Sequence, residues 1–283
     1  MRVTTLGVFL VLAALPAFGQ EPDSPMCSTN PPPIPMAGHP IRPMIDYRVN
    51  PDGSIVSPNW SGWLVTGTDF TFAQGSWKVP AVDCSQTPNS HSSFWVGFDG
   101  YPHRTTVEQT GTSSYCLNST ALYYAWYQFY PHGQYAISYF PVAPSDVISA
   151  SVTYNGVSNG DPSFTVRITD ETTGKSCHQT ETVRGALRES AEWIAEAPGS
   201  PTCQWPLSDF GTVYFGMDYT HVSGTNDASD RFTTGPIGNF DIYAHMLIMQ
   251  DEQGNDLAVP SPLTEDNSSF DVVWKRQTMM ALP

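Results

Sequence analysis

The chain has 283 residues, 12 lysines and arginines against 27 aspartates and glutamates, and a formal net charge of −15 at pH 7. So acidic a surface repels nucleic acid and anionic membranes, which argues against either as a partner. Scarce basic groups limit the positive charging that drives acid unfolding, so the composition suits an acidic medium.

Arg2 is followed by an apolar run from Leu6 to Leu15 and then by Pro16-Ala17-Phe18-Gly19-Gln20. This is the pattern of a secretory signal peptide cut after Gly19, which predicts a secreted protein, extracellular or periplasmic. No later stretch approaches the ~20 apolar residues of a transmembrane helix. Residues 20–54 carry Pro31-Pro32-Pro33, Pro35, Pro40 and Pro43 and lack apolar periodicity, as an extended linker or short pro-segment does. From Ile55 to the C-terminus the character is that of one β domain, long enough to bury a core.

Runs rich in Val, Thr, Tyr, Phe and Trp alternate there with Gly, Pro, Asn, Asp and Ser clusters. They predict strands at Trp60–Val65, Gly75–Val79, Ser93–Asp99, Tyr123–Tyr130, Val147–Tyr154, Phe164–Thr169, Cys177–Val183, Val213–Tyr219 and Asp241–Met249. Thr172-Thr173-Gly174-Lys175 predicts a hairpin turn, and Gly185–Glu192 is the one stretch that tempts a helix. The class expected is all-β, a sandwich of two antiparallel sheets.

Side chains alternate across a strand. In Ser93–Asp99 this puts Phe94, Val96 and Phe98 on a core face and Trp95, Gly97 and Asp99 on the other. The same parity groups Val107 with Gln109, Tyr124 with Trp126, Gln128 and Tyr130, and Glu192 with Ile194 and Glu196. Stripes of aromatic and amide groups therefore stand where a solvent face ordinarily carries Lys, Glu, Ser and Thr, and side by side they would form a groove. Gln109 offers an amide donor, and Asp99, Glu192 and Glu196 are the carboxyls that could work beside it.

The five cysteines include no Cys-x-x-Cys pair. Export favours disulfides, and the pairs expected are Cys84–Cys116 and Cys177–Cys203, with Cys27 left over. The seven histidines show no His-x-x-x-His spacing, and no Gly-x-Ser-x-Gly elbow occurs, so zinc-protease and serine-hydrolase readings of those types lack their motifs. Asn59, Asn118 and Asn267 head formal glycosylation sequons; Asn59 falls in an expected core strand, the other two in expected loops.

Six pieces, in order, resemble the glutamic peptidases of the eqolisin family: Asn59-Trp60-Ser61-Gly62, Trp95-Val96-Gly97-Phe98-Asp99-Gly100, Gln109-Thr110-Gly111, Tyr124-Ala125-Trp126-Tyr127, Thr172-Thr173-Gly174-Lys175 and Ala191-Glu192-Trp193-Ile194-Ala195-Glu196. The resemblance implies a sandwich of two curved antiparallel sheets, of concanavalin A-like or jelly-roll type, and an acid-acting endopeptidase with Gln109 and Glu192 as its dyad. By the same resemblance Trp95 and Asp99 line the substrate groove, and Trp60 and Trp126 stand near the dyad; the Ala-Glu-aromatic-Ile order favours Glu192 over Glu196, which is expected to be structural. Tyr124 and Gln128 share the strand face of Trp126 and are expected to line the groove too; related sequences often carry acidic residues in this strand. The expected enzyme is a monomer acting on polypeptides, with no cofactor or metal in its chemistry. Two other readings fit an aromatic groove. A glycoside hydrolase would use two carboxyls, Asp99 with Glu192 or Glu192 with Glu196. A lectin-like module would leave Gln109 and Glu192 apart or on different sheets.

Overall fold

The computed structural model describes residues 24–29, 47–200 and 203–276. The expected signal peptide lies outside the described residues, as does most of the proline-rich stretch. The strands in chain order are β1 (Arg48–Val49), β2 (Ile55–Ser57), β3 (Trp60–Thr66), β4 (Phe72–Lys78), β5 (His91–Phe98), β6 (Val107–Leu117), β7 (Thr120–Tyr130), β8 (Tyr135–Ala136), β9 (Val147–Ser158) and β10 (Asp161–Asp170). They continue as β11 (Lys175–Thr182), β12 (Ser190–Glu196), β13 (Gly199–Ser200), β14 (Cys203–Gln204), β15 (Thr212–Phe215), β16 (Asp227–Ser229), β17 (Thr234–Pro236), β18 (Ala244–Gln250), β19 (Asp256–Pro260) and β20 (Phe270–Trp274).

The pairings build two layers. One runs β1-β2-β18-β3-β12-β5-β6-β7-β8, antiparallel except where β2 lies parallel to β18. The other runs β11-β10-β9-β4, after which β4 pairs β16 at one end and β15 at the other, and β15 continues to β20 and β19. A short β18–β19 pairing joins the layers at one margin. The main core lies between them and includes Trp77, Phe94, Phe98, Phe164, Trp193 and Phe215. Two buried indoles stitch the layers together: Trp193 donates to the Gln74 carbonyl at 2.8 Å and Trp77 to the Thr112 hydroxyl at 2.9 Å. This is the all-β sandwich expected.

The first layer is apolar on both faces, whereas an antiparallel sheet ordinarily leaves one face to solvent. On β5, Phe94, Val96 and Phe98 face the main core and Trp95 faces away, into a second cluster with Ile55, Trp60, Leu64, Trp126 and Ile194. Every residue of β5 and β12 is buried.

Four elements differ from expectation, one being the Asp241–Met249 strand, which begins only at Ala244 because Ile237–Tyr243 is a 3-10 helix. The 185–192 stretch is not helical: residues 186–189 are a loop, with Arg188 at φ 57°, that leads straight into β12. Strand β5 stops at Phe98, because Asp99 turns to φ 64°. Strand β15 stops at Phe215, where Gly216 at φ 96° starts a single helical turn, Met217–Thr220. The turn after β10 is as expected, with the Asp170 carboxylate accepting from the Thr172 and Thr173 amides and Gly174 at φ 71°.

Cys84 bonds Cys116, the expected pair, but Cys177 bonds Cys27 and not Cys203. The cause lies in residues 24–29. Met26 bridges His178 on β11, the Cys27 amide donates to the His178 carbonyl at 2.8 Å, and the two Cα atoms come within 4.9 Å. Thr29 bridges Ile137 just past β8, so this short segment touches the free edges of both layers. A peptide map without reduction should therefore join Cys27 to Cys177; a Cys177–Cys203 peptide would contradict the fold. Cys27→Ser, which frees a bond spanning 150 residues of chain, should lower unfolding stability in denaturant by roughly 2–5 kcal/mol.

Candidate active site

The outward face of the first layer is ordered by register. Cα partners line up as Leu64–Glu192–Gly97–Gln109–Gln128 across β3, β12, β5, β6 and β7. The next row is Gly62–Ile194–Trp95–Gly111–Trp126, and the one after it Trp60–Glu196–Ser93–Ser113–Tyr124. Seven of the eight candidate site residues thus share one face. Gln109 and Glu192 do not lie apart or on different sheets, as a lectin-like module would have left them.

Two inter-strand steps of about 4.8 Å separate Glu192 from Gln109, and the residue between them is Gly97. A Cβ there would stand 2.9 Å from Trp95 Cζ3 and 3.1 Å from Gln109 Cβ. With no side chain at Gly97, the Trp95 ring and Gln109 pack close over its backbone, and any larger residue there would push one of them aside. Glu192 is fully buried and Gln109 is 1% exposed. Neither oxygen of Glu192 and not the Oε1 of Gln109 has a hydrogen-bond partner among the described residues, and no direct bond joins the two side chains. Unpaired buried polar atoms are costly and uncommon, so Glu192 and Gln109 on one cross-strand row make a candidate functional place. Burial pushes the Glu192 carboxyl well above the ordinary 4.5, and the Asp99 carboxyl adds to the rise. The Ser190 hydroxyl, two residues along the same face, moderates it, although its proton goes to the Tyr101 carbonyl at 2.7 Å.

The amide of Gln109 donates from Nε2 to Gln128 Oε1 at 3.0 Å. Trp95 donates from Nε1 to Glu196 Oε2 at 2.8 Å and packs edge-on against Trp60, ring centroids 4.8 Å apart. Burial raises Glu196 to about 8, against the pull of the Trp95 donor. Glu196 is thus committed to an indole while Glu192 is not, which separates two carboxyls that strand parity alone left equivalent. Tyr124 packs beside His91, its hydroxyl 3.3 Å from Nε2, at the far end of the face. Trp126, fully buried, lies in the apolar cluster.

Asp99 is placed otherwise. It lies past the end of β5, and its carboxylate accepts from the backbone amides of Leu187, Arg188 and Glu189 at 2.9 Å each and from the Thr106 hydroxyl at 3.4 Å. Burial raises its pKa and those amides pull it back. Its visible work is to hold the loop that delivers β12 to β5, and with its oxygens so engaged the Asp99/Glu192 acid–base pair of a glycosidase lacks a free partner.

Two buried groups were not singled out from the sequence. Glu108 lies on the core face, opposite Phe98 and Phe129, fully buried with both oxygens unpartnered; burial pushes it well up, and the Asp99 and Glu192 carboxyls add to the rise. Its neighbour Gln109 drew attention, but period-two parity would have put this carboxyl in the core. His91 is fully buried and held down to about 3 by that burial; its parity with Trp95 was the available signal. Among the described residues no cluster of three or more His, Cys, Asp or Glu is arranged to hold a metal ion.

Known proteins resemble this chain in sequence and in fold. The chain matches the sequence profile described as "Peptidase A4 family" over residues 58–244. It is 31% identical to aspergillopepsin-2 of Aspergillus niger over 238 residues, 77% of this chain and 76% of that protein. It is 28% identical to scytalidopepsin B of Scytalidium lignicola over 186 residues, 64% of this chain and 68% of that one. Its fold matches the crystal structure of scytalido-glutamic peptidase with a transition state analog inhibitor at a TM-score of 0.61, with 22% identity, covering 77% of this chain and 98% of the other. It matches aspergilloglutamic peptidase from Aspergillus niger at 0.54, with 28% identity, covering 66% and 99%. With the β-sandwich, the matched span and these relatives together, the chain belongs to the peptidase A4 family, the glutamic peptidases or eqolisins.

Proposed function

We propose that this protein is a secreted, acid-acting endopeptidase in which Glu192 and Gln109 hydrolyse the peptide bond. The observation that carries the reading is the Glu192–Gly97–Gln109 row, with a buried carboxyl and a buried amide carbonyl that lack hydrogen-bond partners on one face of the sheet. Ionised Glu192 takes a proton from water as the water oxygen attacks the carbonyl carbon. The Gln109 NH2 donates to the oxygen that becomes negative, and its carbonyl orients the water. Protonated Glu192 then gives its proton to the leaving nitrogen, the C–N bond breaks, and the carboxylate is restored. Trp95, Trp126, Trp60 and Tyr124 supply the apolar walls that hold a polypeptide. Two disulfides suit an oxidising compartment outside the cell.

Protonation ties this chemistry to acid. Glu192 is fully buried and Gln109 1% exposed, so the reading requires this face to open to a polypeptide, which would remove the burial that lifts Glu192. A solvated Glu titrates near ~4.3, and a group that must both take and give a proton works best near its own pKa.

Glu192→Ala should abolish cleavage of a protein substrate at about pH 3–5, the region of the ordinary Glu pKa. Gln109→Ala should lower kcat by about 10²–10³, the usual effect of removing an oxyanion donor. Wild-type cleavage by either folded variant would sink the dyad.

Burial holds Asp99, Glu108, Glu192 and Glu196 above their ordinary values. Below the unfolded-state value each is protonated in both states. As pH rises past it the unfolded chain releases a proton that the folded protein keeps, so stability falls, for Glu196 from 4.5 up to about 8. His91, held down to about 3 from 6.5, acts oppositely, losing stability as pH falls below 6.5. Four carboxyls outweigh one imidazole, and the net charge of −15 adds self-repulsion at neutral pH. Thermal unfolding should therefore come at a higher temperature at pH 4.5 than at pH 8, with a shallower fall in Glu196→Gln. A Tm that is flat or rises over that interval would contradict the arrangement.

A further inference from the structure

The proposed dyad leaves one question that the geometry answers. An amide side chain can present either its oxygen or its NH2 to a given neighbour, and the two ends of Gln109 have opposite uses. Something must decide which end faces where.

Gln128 is the Cα partner of Gln109 across β6 and β7 and is fully buried. Its Nε2 donates to the His132 carbonyl at 2.9 Å, and its Oε1 accepts from Gln109 Nε2 at 3.0 Å. The His132 carbonyl can only accept, so it takes the NH2 end of Gln128. That turns the Gln128 oxygen toward Gln109, and an oxygen accepts only from the NH2 end of Gln109. Gln109 is thereby left with its second N–H and its unpartnered Oε1 for chemistry. Reversing Gln109 would set two carbonyl oxygens against each other and bury an unpaired donor. The relay begins at a fixed backbone atom, the His132 carbonyl oxygen. The turn after β7 holds the His132 carbonyl in place, the His132 amide itself donating to the Phe129 carbonyl at 2.9 Å.

We propose that Gln128 is a positioning residue: relayed from the His132 carbonyl, it locks the Gln109 amide in the one orientation that presents a free N–H and a free carbonyl to the reacting peptide. The proposal rests on the dyad reading. Gln128, placed in the groove by sequence parity, then acts through Gln109 and not by holding substrate. A glutamate at 128 is the informative contrast. Protonated, it can donate to His132 and accept from Gln109 as the amide does. Ionised, it sets a carboxylate against the His132 carbonyl and breaks the relay. Two other charged groups lie at this corner, the His132 imidazole and the Glu181 carboxylate, 3.5 Å apart. Both are present in wild type and variant, so the ratio of the two at each pH isolates position 128.

The test compares wild type, Gln128→Leu, Gln128→Glu, Gln109→Ala and the Gln109→Ala/Gln128→Leu double variant on one quenched fluorescent peptide from pH 2.5 to 6. Gln128→Leu should lose on the order of 10–100-fold in kcat with KM little changed, the range set by one unmatched buried hydrogen bond. Gln128→Glu should approach wild type at the acid end and fall away as pH rises. The double variant should be no slower than Gln109→Ala. A Gln128→Leu enzyme with wild-type kcat, a loss confined to KM, or a Gln128→Glu/wild-type ratio independent of pH would overturn the positioning role. Should Gln128→Leu fail to fold, the pH dependence of Gln128→Glu decides alone. If Gln109→Ala itself retains full activity, the dyad has failed; if Gln109→Ala is inactive while Gln128→Leu is normal, only the positioning role has.

Discussion

Strands β12, β5, β6 and β7 pair without a shift in register, and this one row of partners places Glu192, Gly97, Gln109 and Gln128 in line. A slip of one residue in any pairing would turn that strand's polar side chains into the core and its core side chains outward. The register is held from the core side. Phe94 and Phe98 on β5, Trp193 on β12 and Phe129 on β7 all sink into the cluster between the layers, so the packing that stabilises the sandwich also fixes the spacing of Glu192 and Gln109, the proposed dyad. Asp99 serves the same end by gripping the 187–189 loop, which sets where β12 begins against β5.

The arrangement is bought with uncompensated polarity. A face whose neighbours are Trp60, Trp95, Trp126 and Ile194 holds a carboxyl with no partner on either oxygen, and Glu108 repeats the situation on the opposite side of the same sheet. Such groups are tolerable while protonated. Burial favours that protonated form in Glu108 and Glu192 alike. Glu196 differs in part: the Trp95 indole donates to one of its oxygens, while the other is unpartnered.

Much of this was legible in the sequence, because alternation on a strand is a strong rule. Phe94/Val96/Phe98 against Trp95/Gly97, and Ala125/Tyr127/Phe129 against Tyr124/Trp126/Gln128, fall on the faces that parity assigns. What parity cannot supply is strand order. Glu192 comes into the row of Gln109 only because β12 inserts beside β5, a strand distant in the chain, and only the family resemblance pairs the two. Asp99 misled because alternation was carried one residue past the strand's end, into a backbone turned to φ 64°. The helical look of 185–192 failed for a tertiary reason, since its amides go to the Asp99 carboxylate and not to their own carbonyls. Cys27 paired because residues 24–29, in a stretch that composition marks as linker, run beside β11.

The central claim is that Glu192 and Gln109 act as one unit across Gly97. A double-mutant cycle on kcat/KM measures this most directly, using Glu192→Ala, Gln109→Ala and the pair, with a sensitive fluorogenic peptide at acid pH. Groups that act together are strongly non-additive. The account predicts that the double variant loses no more activity than the worse single one. Losses that multiply, as for two independent residues, would contradict it.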